Sequence, residues 1–274
     1  MMIEPFCSSD IPAFLSLAVT ESWIAELWEF EFLLNSFPEG CFCVRDNNGM
    51  GIAFVTSLRH ERSGWIGNLI VAAEYRGQKM GEKLFTRALN ALRDSGVETF
   101  WLTASKSGKS LYEKHGFSSI DTIIRWSGVG RQRHVLHGAD AASRSSKALQ
   151  VGIDSQAWGD CRHALLNVAA GRGTQMSHES GFVVIQPCGA ARQFGPFSAL
   201  DSGTAEQLFD EALRTVPLGT KVYSDVPASN RAALRMFNRK QMRIAGSSEL
   251  MYAGRKPEYR SEYVYGLATM GSCG

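Results

Sequence analysis

The chain has 274 residues, of which 44% are hydrophobic and 20% are charged, and its formal net charge is +2. This composition predicts a globular protein with a sizeable core and argues against intrinsic disorder. The nearly neutral charge provides no global basic field, so we expect no nucleic-acid partner. The sequence has neither an apolar run long enough to span a membrane nor a secretion signal, so we expect no membrane association and a cytoplasmic location.

Six cysteines and six histidines are scattered along the chain. Neither residue type clusters at the spacing of a zinc site, so we expect no metal ligand set. Buried free thiols are the expected state of the cysteines.

The first half alternates strand and helix signals. In chain order the expected segments are a strand at 3–6, helices at 11–18 and 25–36, strands at 41–45, 51–58 and 65–71, a helix at 79–94, a strand at 99–103, a helix at 107–115 and a strand at 120–126. The second and third strands form a hairpin around the turn at 46–49.

The first chemical signal lies between Trp65 and Lys83. An apolar run predicts a strand buried on both faces, and the residues after it have the 3.6-residue apolar period of a helix. The intervening turn presents free backbone N–H groups at the positive end of that helix, which suits a phosphate-bearing ligand. On these residues alone, an ordinary connection with solvated Arg76 and Lys79 is the alternative.

Leu69-x-Val71 followed by Tyr75-Arg76-Gly77-Gln78-Lys79-Met80-Gly81 resembles the acyl-CoA-binding segment of the GNAT superfamily of N-acyltransferases. The family pattern Arg/Gln-x-x-Gly-x-Gly/Ala stands here with a lysine in place of its first glycine. The resemblance implies that a central strand pairs with the pantetheine arm and that the turn binds the pyrophosphate of acetyl-CoA or another acyl-CoA. The implied cofactor-binding residues are Leu69, Ile70, Val71, Arg76, Gly77, Gln78, Lys79, Met80, Gly81, Glu82, Ser105 and Ser107.

Leu111-Tyr112-x-x-x-Gly116-Phe117 is similar to the GNAT helix that carries an acid tyrosine. The resemblance implies that Tyr112 is the general acid that protonates a thiolate leaving group. A packing role for its ring is the alternative. The asparagine of the family on this segment falls at Ser105, which would have to replace its hydrogen bond to pantetheine.

The sequence identifies no convincing general base. Trp23 and Asn68 are candidate substrate contacts, although Trp23 suits a core position equally well. An ordered water chain is as acceptable a base as any side chain. The titratable residues on segments that border the acceptor side in this family are Glu26, Glu31, His60 and Glu61.

Residues 129–150 are rich in Gly, Ser, Ala and Arg and predict a linker. Its basic residues either attract cofactor phosphates or are simply solvated; they are Arg131, Arg133, Arg144 and Lys147. The strand and helix order then repeats faintly over 151–274. The expected segments are a helix near 165–168, strands at 181–185 and 192–197, a helix at 205–213, a strand at 221–224, a helix at 231–239 and strands at 248–252 and 262–268.

The second half resembles the C-terminal half of bacterial tandem GNAT proteins at Gly195-Pro196, Asp225-x-Pro227-x-x-Asn230 and Leu250-Met251. It has no phosphate loop after Phe197, and Phe237 stands where an acid tyrosine is expected. We therefore expect a degenerate domain that forms the wall of the acceptor pocket. One possibility for the strand at 262–268 is exchange onto the sheet of the first domain.

Together these signals predict an α/β protein with a mixed sheet and two tandem GNAT-like domains, 1–128 and 151–274. The expected activity is acyl transfer from acetyl-CoA to the amine of a small molecule by direct attack, in a monomer or homodimer. The alternative is a non-catalytic acyl-CoA-binding or regulatory module. Gly77 and Gly81 lack the spacing of a dinucleotide-binding motif, which disfavours a nicotinamide cofactor.

Overall fold

The computed structural model describes residues 2–132 and 147–274. Its strands are β1 (Ile3–Pro5), β2 (Phe42–Arg45), β3 (Gly51–Arg59), β4 (Ser63–Val71), β5 (Thr99–Ala104), β6 (Ser118–Val129), β7 (Thr174–His178), β8 (Gly181–Cys188), β9 (Ala191–Ala199), β10 (Lys221–Pro227), β11 (Arg243–Gly254) and β12 (Val264–Gly266). Its α-helices are α1 (Ile11–Thr20), α2 (Leu27–Ser36), α3 (Met80–Asp94), α4 (Lys109–Lys114), α5 (Lys147–Trp158), α6 (His163–Arg172), α7 (Ser202–Thr215) and α8 (Arg231–Arg239).

All described strands belong to one mixed sheet in the order β1-β2-β3-β4-β5-β11-β6-β10-β9-β8-β7, with β12 added beside β9. The pairs β4–β5 and β9–β10 are parallel, and the other pairs are antiparallel. The predicted mixed α/β sheet is thus confirmed. Sequence analysis missed β7 and α5, and the helix α5 begins within the segment predicted as a linker. Residues 133–146 of that segment, with Arg133 and Arg144, lie outside the described residues, and Arg131 donates to the Lys240 carbonyl at 2.9 Å.

The two halves exchange strands at the centre of the sheet. Strand β11 of the second half lies between β5 and β6, and β6 of the first half lies between β11 and β10. The β6–β11 ladder runs from the pairing of Tyr252 with Ser118 to that of Arg243 with Ser127. Because each half completes the backbone hydrogen bonding of the other, the halves are joined by a continuous ladder rather than by a side-chain interface.

Helices cover both faces of the first half of the sheet. On β3, Phe54 packs with α1 and α2, whereas its neighbours Ala53 and Val55 pack with α3, as the two-residue alternation of a strand requires. The helix α3 buries Leu84, Phe85, Ala88, Leu89 and Leu92, which form one stripe at helical spacing. Each leucine or phenylalanine so buried contributes about 2 kcal/mol, and this fixes the start of α3 beside the end of β4.

The parallel strands β4 and β5 separate after a short contact. They pair only over Ser63–Trp65 and Thr99–Trp101, so a gap opens toward their carboxyl ends. The strands β9 and β10 diverge in the same way after pairing at Arg192 and Gln193.

The gap of the second half is filled by the chain itself. Val264 and Gly266 of β12 pair with β9, and the Leu267 amide donates to the Asp225 carbonyl of β10. The predicted exchange of this tail strand onto the first domain was therefore wrong. The exchanged strand is β11, whose long ladder with β6 satisfies far more backbone groups than the tail could.

In the part of the chain that the structure describes, no helix has the length and apolar character of a membrane span.

The Asn230 side chain connects β12 to the start of α8 by hydrogen bonds, and removing it should destabilise the fold. The Asn230 side chain, only 1% exposed, accepts from the Ala233 amide at 2.9 Å and donates to the Val264 carbonyl at 2.9 Å. We expect Asn230→Ala to lower the free energy of unfolding by about 2–4 kcal/mol, because it removes a helix cap and leaves a buried carbonyl unpaired. Urea unfolding measures this, and Asn238→Ala, on the exposed side of the same helix, should have little effect. Equal stability of the two variants would contradict the role of Asn230.

Candidate active site

A cavity of about 310 Å³ lies between the two halves, at the gap between β4 and β5. The first half lines it with residues 22–25, the middle of β4 and the segment that follows β5. The second half lines it with residues 245–248 and with residues 270–272 after β12. Three charged side chains face this cavity, namely Glu29, Arg125 and Asp225.

A bulge in β4 shapes the inner wall of the cavity. Gly67 pairs with Thr56 and Ile70 pairs with Phe54, so the register shifts across Asn68 and Leu69. Asn68 has a φ of 55°, and its side-chain amide donates to the Thr56 hydroxyl at 3.0 Å. Among the described residues no strand pairs with β4 on its β5 side beyond Trp65. On that side the backbone at Leu69, Ile70 and Val71 has no strand partner, and these are the residues predicted to pair with a pantetheine arm.

The turn from β4 into α3 leaves a row of backbone amides free. No side chain caps α3. Within the described chain, the amides from Gly77 to Glu82 donate to no backbone carbonyl. Gly77 has a φ of 77° and faces open space, and Gln78 beside it is exposed. Free amides at a positive helix end form an anion-binding site, so these positions have the arrangement that a pyrophosphate requires.

Lys79 occupies a conformation that favours glycine. Its φ is 58°, which explains physically why the family pattern has glycine at this position. The Lys79 side chain is exposed and forms no ion pair with the residues that the structure describes, so no such contact ties it across the turn.

The side chain of Arg76 is already engaged by the protein. Its Nε donates to the Val71 carbonyl at 2.9 Å and its Nη2 donates to the Glu21 carboxylate. The guanidinium therefore stabilises the turn beside the free backbone amides, and half of the Arg76 side chain remains exposed. Of the other predicted positions, Met80 is buried in the first turn of α3, and Glu82 lies 3.8 Å from His115.

Tyr112 of α4 faces the same cavity. Its ring packs edge-on against Phe85 with the centroids 5.0 Å apart. Burial raises the pKa of Tyr112 to about 12, so the phenol keeps its proton at neutral pH. Tyr112 thus meets two requirements of a general acid, namely access to the cavity and a retained proton.

Of the remaining predicted site residues, three line the cavity and Ser107 does not. Trp23, Asn68 and Ser105 line the cavity, and Trp23 is 41% exposed rather than a core residue. The Ser105 hydroxyl lies 3.1 Å from that of Ser107 and accepts from the Gly108 amide at 3.2 Å. Ser107 supports Ser105 without lining the cavity.

None of the four titratable residues considered as bases lines the cavity. Glu26 instead accepts from Arg172 of α6 at 3.1 Å and from the Gly189 amide at 2.6 Å. Burial, reinforced by the nearby Arg162, lowers the pKa of His60 to about 3. Glu31 and Glu61 are exposed to solvent.

Sequence reasoning missed all three charged residues of the cavity. Glu29 had a detectable signal, because its spacing to Phe30 and Leu33 places it on the buried face of α2. Arg125 and Asp225 form a bidentate ion pair at 2.8 and 2.7 Å between the two halves. This pair could not be read from the sequence, because it joins residues of β6 and β10 that pair only through the strand exchange.

The corresponding position at the start of α7 is closed to anions. The Asp201 carboxylate accepts from the Thr204 amide at 2.8 Å, and that amide and the Thr204 hydroxyl lower the pKa of Asp201. A fixed negative charge therefore stands where α3 has free amides. Phe237, at the position of the acid tyrosine, is fully buried.

The described residues contain no group of three or more His, Cys, Asp or Glu side chains that could hold a metal ion. The cysteines are free thiols, and Cys7 is exposed, contrary to the expectation that all would be buried.

Comparisons with known proteins agree with this architecture. A family described as "Acetyltransferase (GNAT) domain" matches residues 38–119, and a second family of the same description matches residues 151–266. Together the two matches cover well over half of the chain. The protein therefore belongs to the GNAT acetyltransferases, with two domains of that fold in tandem, and this confirms the predicted family and its class of enzyme, N-acetyltransferase.

Among its relatives, the ribosomal protein bS18-alanine N-acetyltransferase of Haemophilus influenzae is 29% identical over 34% of this chain and 66% of its own length. An N-alpha-acetyltransferase of Arabidopsis thaliana is 29% identical over 48% of this chain and 68% of its own length. A crystal structure from Pyrococcus horikoshii, assigned as an acetyltransferase, superposes with a TM-score of 0.84 at 21% identity. It covers 99% of this chain and 95% of its own. At that identity the superposition establishes a shared fold across both halves.

Replacing Lys79 by glycine tests the conformation of the turn. A left-handed lysine costs about 1 kcal/mol, which glycine avoids, although glycine loses a similar amount through the unfolded state. We expect the free energy of unfolding of Lys79→Gly to match the wild type or exceed it by up to about 1 kcal/mol. Lys83→Gly, an exposed site inside α3, should instead lose about 1 kcal/mol. Equal losses in chemical denaturation would contradict the conformation assigned to Lys79.

Proposed function

We propose that the protein transfers an acetyl group from acetyl-CoA to the amine of a small molecule held in the cavity between its two halves. The observation that carries this proposal is the gap between β4 and β5, with free amides at its outer end and the Tyr112 phenol at its inner end. Family membership supports the reaction class, and the choice of acceptor rests on the shape of the cavity.

The first half has the features that acetyl-CoA requires. Backbone groups of Leu69 to Val71 would pair with the pantetheine arm, and the amides from Gly77 to Glu82 would bind the pyrophosphate. Ser105, which faces the cavity, would hydrogen-bond the arm near its reactive end. The bound molecule supplies an acetyl thioester, whose carbonyl carbon accepts the amine.

Tyr112 would act as the general acid. Its raised pKa keeps the phenolic proton in place until the carbon–sulfur bond breaks. In hydrogen-bond contact the phenol would donate to the developing thiolate, and the nitrogen, which becomes strongly acidic as the amide forms, would return a proton to the phenol oxygen. Packing against Phe85 holds the hydroxyl in one orientation, which this transfer requires.

The second half would complete the acceptor pocket rather than bind a second acetyl-CoA. Residues 245–248 and 270–272 cover the acceptor side of the gap, so an acceptor enters a pocket with walls from both halves. A pocket of about 310 Å³ is at the small end of ligand sites, which favours a small amine over a folded protein surface.

A second candidate acceptor is the α-amine of a protein. Both relatives named above act on such groups by their names, the one on an alanine of a ribosomal protein and the other on N-alpha positions. Exposed Val19, Trp23 and Leu27 lie at or near residues 22–25 and would contact the residues that follow a peptide's first amine.

The acceptor is tested by release of free CoA thiol from acetyl-CoA with panels of small amines and of short peptides with free N-termini. Rates on small amines that exceed those on peptides support the proposal. Peptides as the better acceptors would favour the second candidate, and no thiol release with any amine would overturn the enzymatic proposal.

Tyr112→Phe should lower kcat by about 100-fold or more, because it removes the proton donor and leaves the ring in place. The affinity for acetyl-CoA, measured by calorimetry, should stay within a factor of two (about 0.4 kcal/mol) of the wild type. Tyr223→Phe, on β10 and outside the cavity lining, is the matched control. An unchanged kcat in Tyr112→Phe would exclude Tyr112 as the acid.

Calorimetry should also give one acetyl-CoA bound per chain. Gly81→Asp places a carboxylate in the first turn of α3 and should abolish binding, because it repels the pyrophosphate; the added Cβ meets only Val71, at 3.5 Å. The control Gly203→Asp makes the same change at the equivalent position of α7 and should leave binding intact. Two sites per chain, or loss of binding in the Gly203 variant, would contradict a single site in the first half.

A further inference from the structure

Glu29 is a buried carboxylate that the mechanism above does not use. It lies on α2, is 5% exposed and faces the cavity that Tyr112 also lines. Burying an ionisable group without an opposite charge is costly, so such groups are usually paired. Glu29 is in no ion pair among the described residues, and the neighbouring Ser272 side chain favours its ionised form.

The other two charged residues of the cavity neutralise each other. Arg125 donates from Nε and Nη2 to both carboxylate oxygens of Asp225, and Nη2 also donates to the Met270 carbonyl. Ionised Glu29 is therefore the one charge on the described cavity wall without an ion-pair partner. A cavity with a single negative charge attracts a cation, and a protonated amine is a cation.

We propose that Glu29 binds the ammonium group of the acceptor and takes its proton, acting as the general base of the acetyl transfer. This inference rests on the function proposed above and names the residue that prepares the acceptor. It also specifies the acceptor as an amine that is positively charged at neutral pH.

The protons and bonds of the step balance with Glu29 and Tyr112 alone. The ammonium gives one proton to Glu29, and the free nitrogen lone pair forms a bond to the acetyl carbon. The carbon–sulfur bond breaks, and the sulfur takes the proton of Tyr112. A second proton from the nitrogen restores the phenol, and Glu29 releases its proton to solvent.

The surroundings of Glu29 give it a suitable proton affinity. Burial raises its pKa to about 7, the Ser272 hydrogen bond opposes this rise, and Glu26 adds to it. Arg172 of α6 lowers the pKa of Glu29, while the thiols of Cys188 and Cys273 face the same region and stay protonated. A base with a pKa near the working pH is half-ionised there and can both accept and release a proton.

The pH dependence of kcat/KM should follow the ionisation of Glu29. Glu29 accepts a proton only when ionised, so kcat/KM for the acceptor should rise as the pH passes upward through about 7. Removing the Ser272 hydroxyl removes an interaction that favours the ionised form, so Ser272→Ala should move this rise to higher pH.

The test compares Glu29→Gln, Glu29→Asp and Ser272→Ala with the wild type, using the best acceptor from the amine panel between pH 5.5 and 9. We expect Glu29→Gln to lower kcat/KM by about 100-fold at pH 7.5 and to lose the rise near pH 7. Glu29→Asp should keep the rise at a reduced rate, and acetyl-CoA affinity should be unchanged in both variants. The control Glu31→Gln, on the exposed side of the same helix, should behave as the wild type.

A wild-type pH profile and rate in Glu29→Gln would overturn the role of Glu29 and leave the proposed acetyl transfer intact. The same holds for a Ser272→Ala profile that does not move, which keeps the inference testable if Glu29→Gln fails to fold. Absence of thiol release by the wild-type protein with every acceptor would overturn the proposed function and this inference together.

Discussion

The separation of β4 from β5 is the constraint on which the rest of the structure depends. Parallel strands that stay paired would leave no free backbone for a ligand, whereas these two part after three residues on each strand. The bulge at Asn68 turns β4 away, and the stripe of apolar residues on α3 holds the following helix against the sheet. The position of the turn, of Tyr112 and of the cavity all follow from that separation.

The strand exchange gives this gap its second wall. Residues 246–248 of β11 pair with β6, and the residues that follow them, Glu249–Gly254, pair with β5, so backbone hydrogen bonds to the first half hold this wall beside the gap. The Arg125–Asp225 pair spans the same junction. The sheet thus brings together pocket residues that are distant in sequence.

Local signals in the sequence predicted the local parts of this site. The apolar period fixed α3, the glycine-containing turn indicated free amides, and the Tyr-x-x-x-Gly-Phe ending indicated Tyr112 at the cavity. The lysine at position 79 departs from the family pattern already in the sequence. Only the backbone shows that this position has the left-handed conformation that favours glycine. Glu29 differs from Glu26 and Glu31 in lying on the buried face of α2, which its four-residue spacing to Leu33 indicates.

Non-local pairing could not be predicted in the same way. The apolar pattern identifies a strand without identifying its neighbour, so the partners of the strand predicted at 248–252 stayed open and the tail was a candidate for exchange. Helix α5 and strand β7 were missed because their apolar residues follow no sustained period.

Strand β12 occupies the gap of the second half, where a ligand would otherwise lie. A segment tethered to its own binding groove acts at an effective concentration in the millimolar range or above, and no diffusing metabolite at ordinary cellular levels displaces it readily. Once such an intramolecular occupant is in place, selection on that groove concerns folding instead of ligand affinity. The second half then contributes strands and a pocket wall, while its own groove is occupied by the chain.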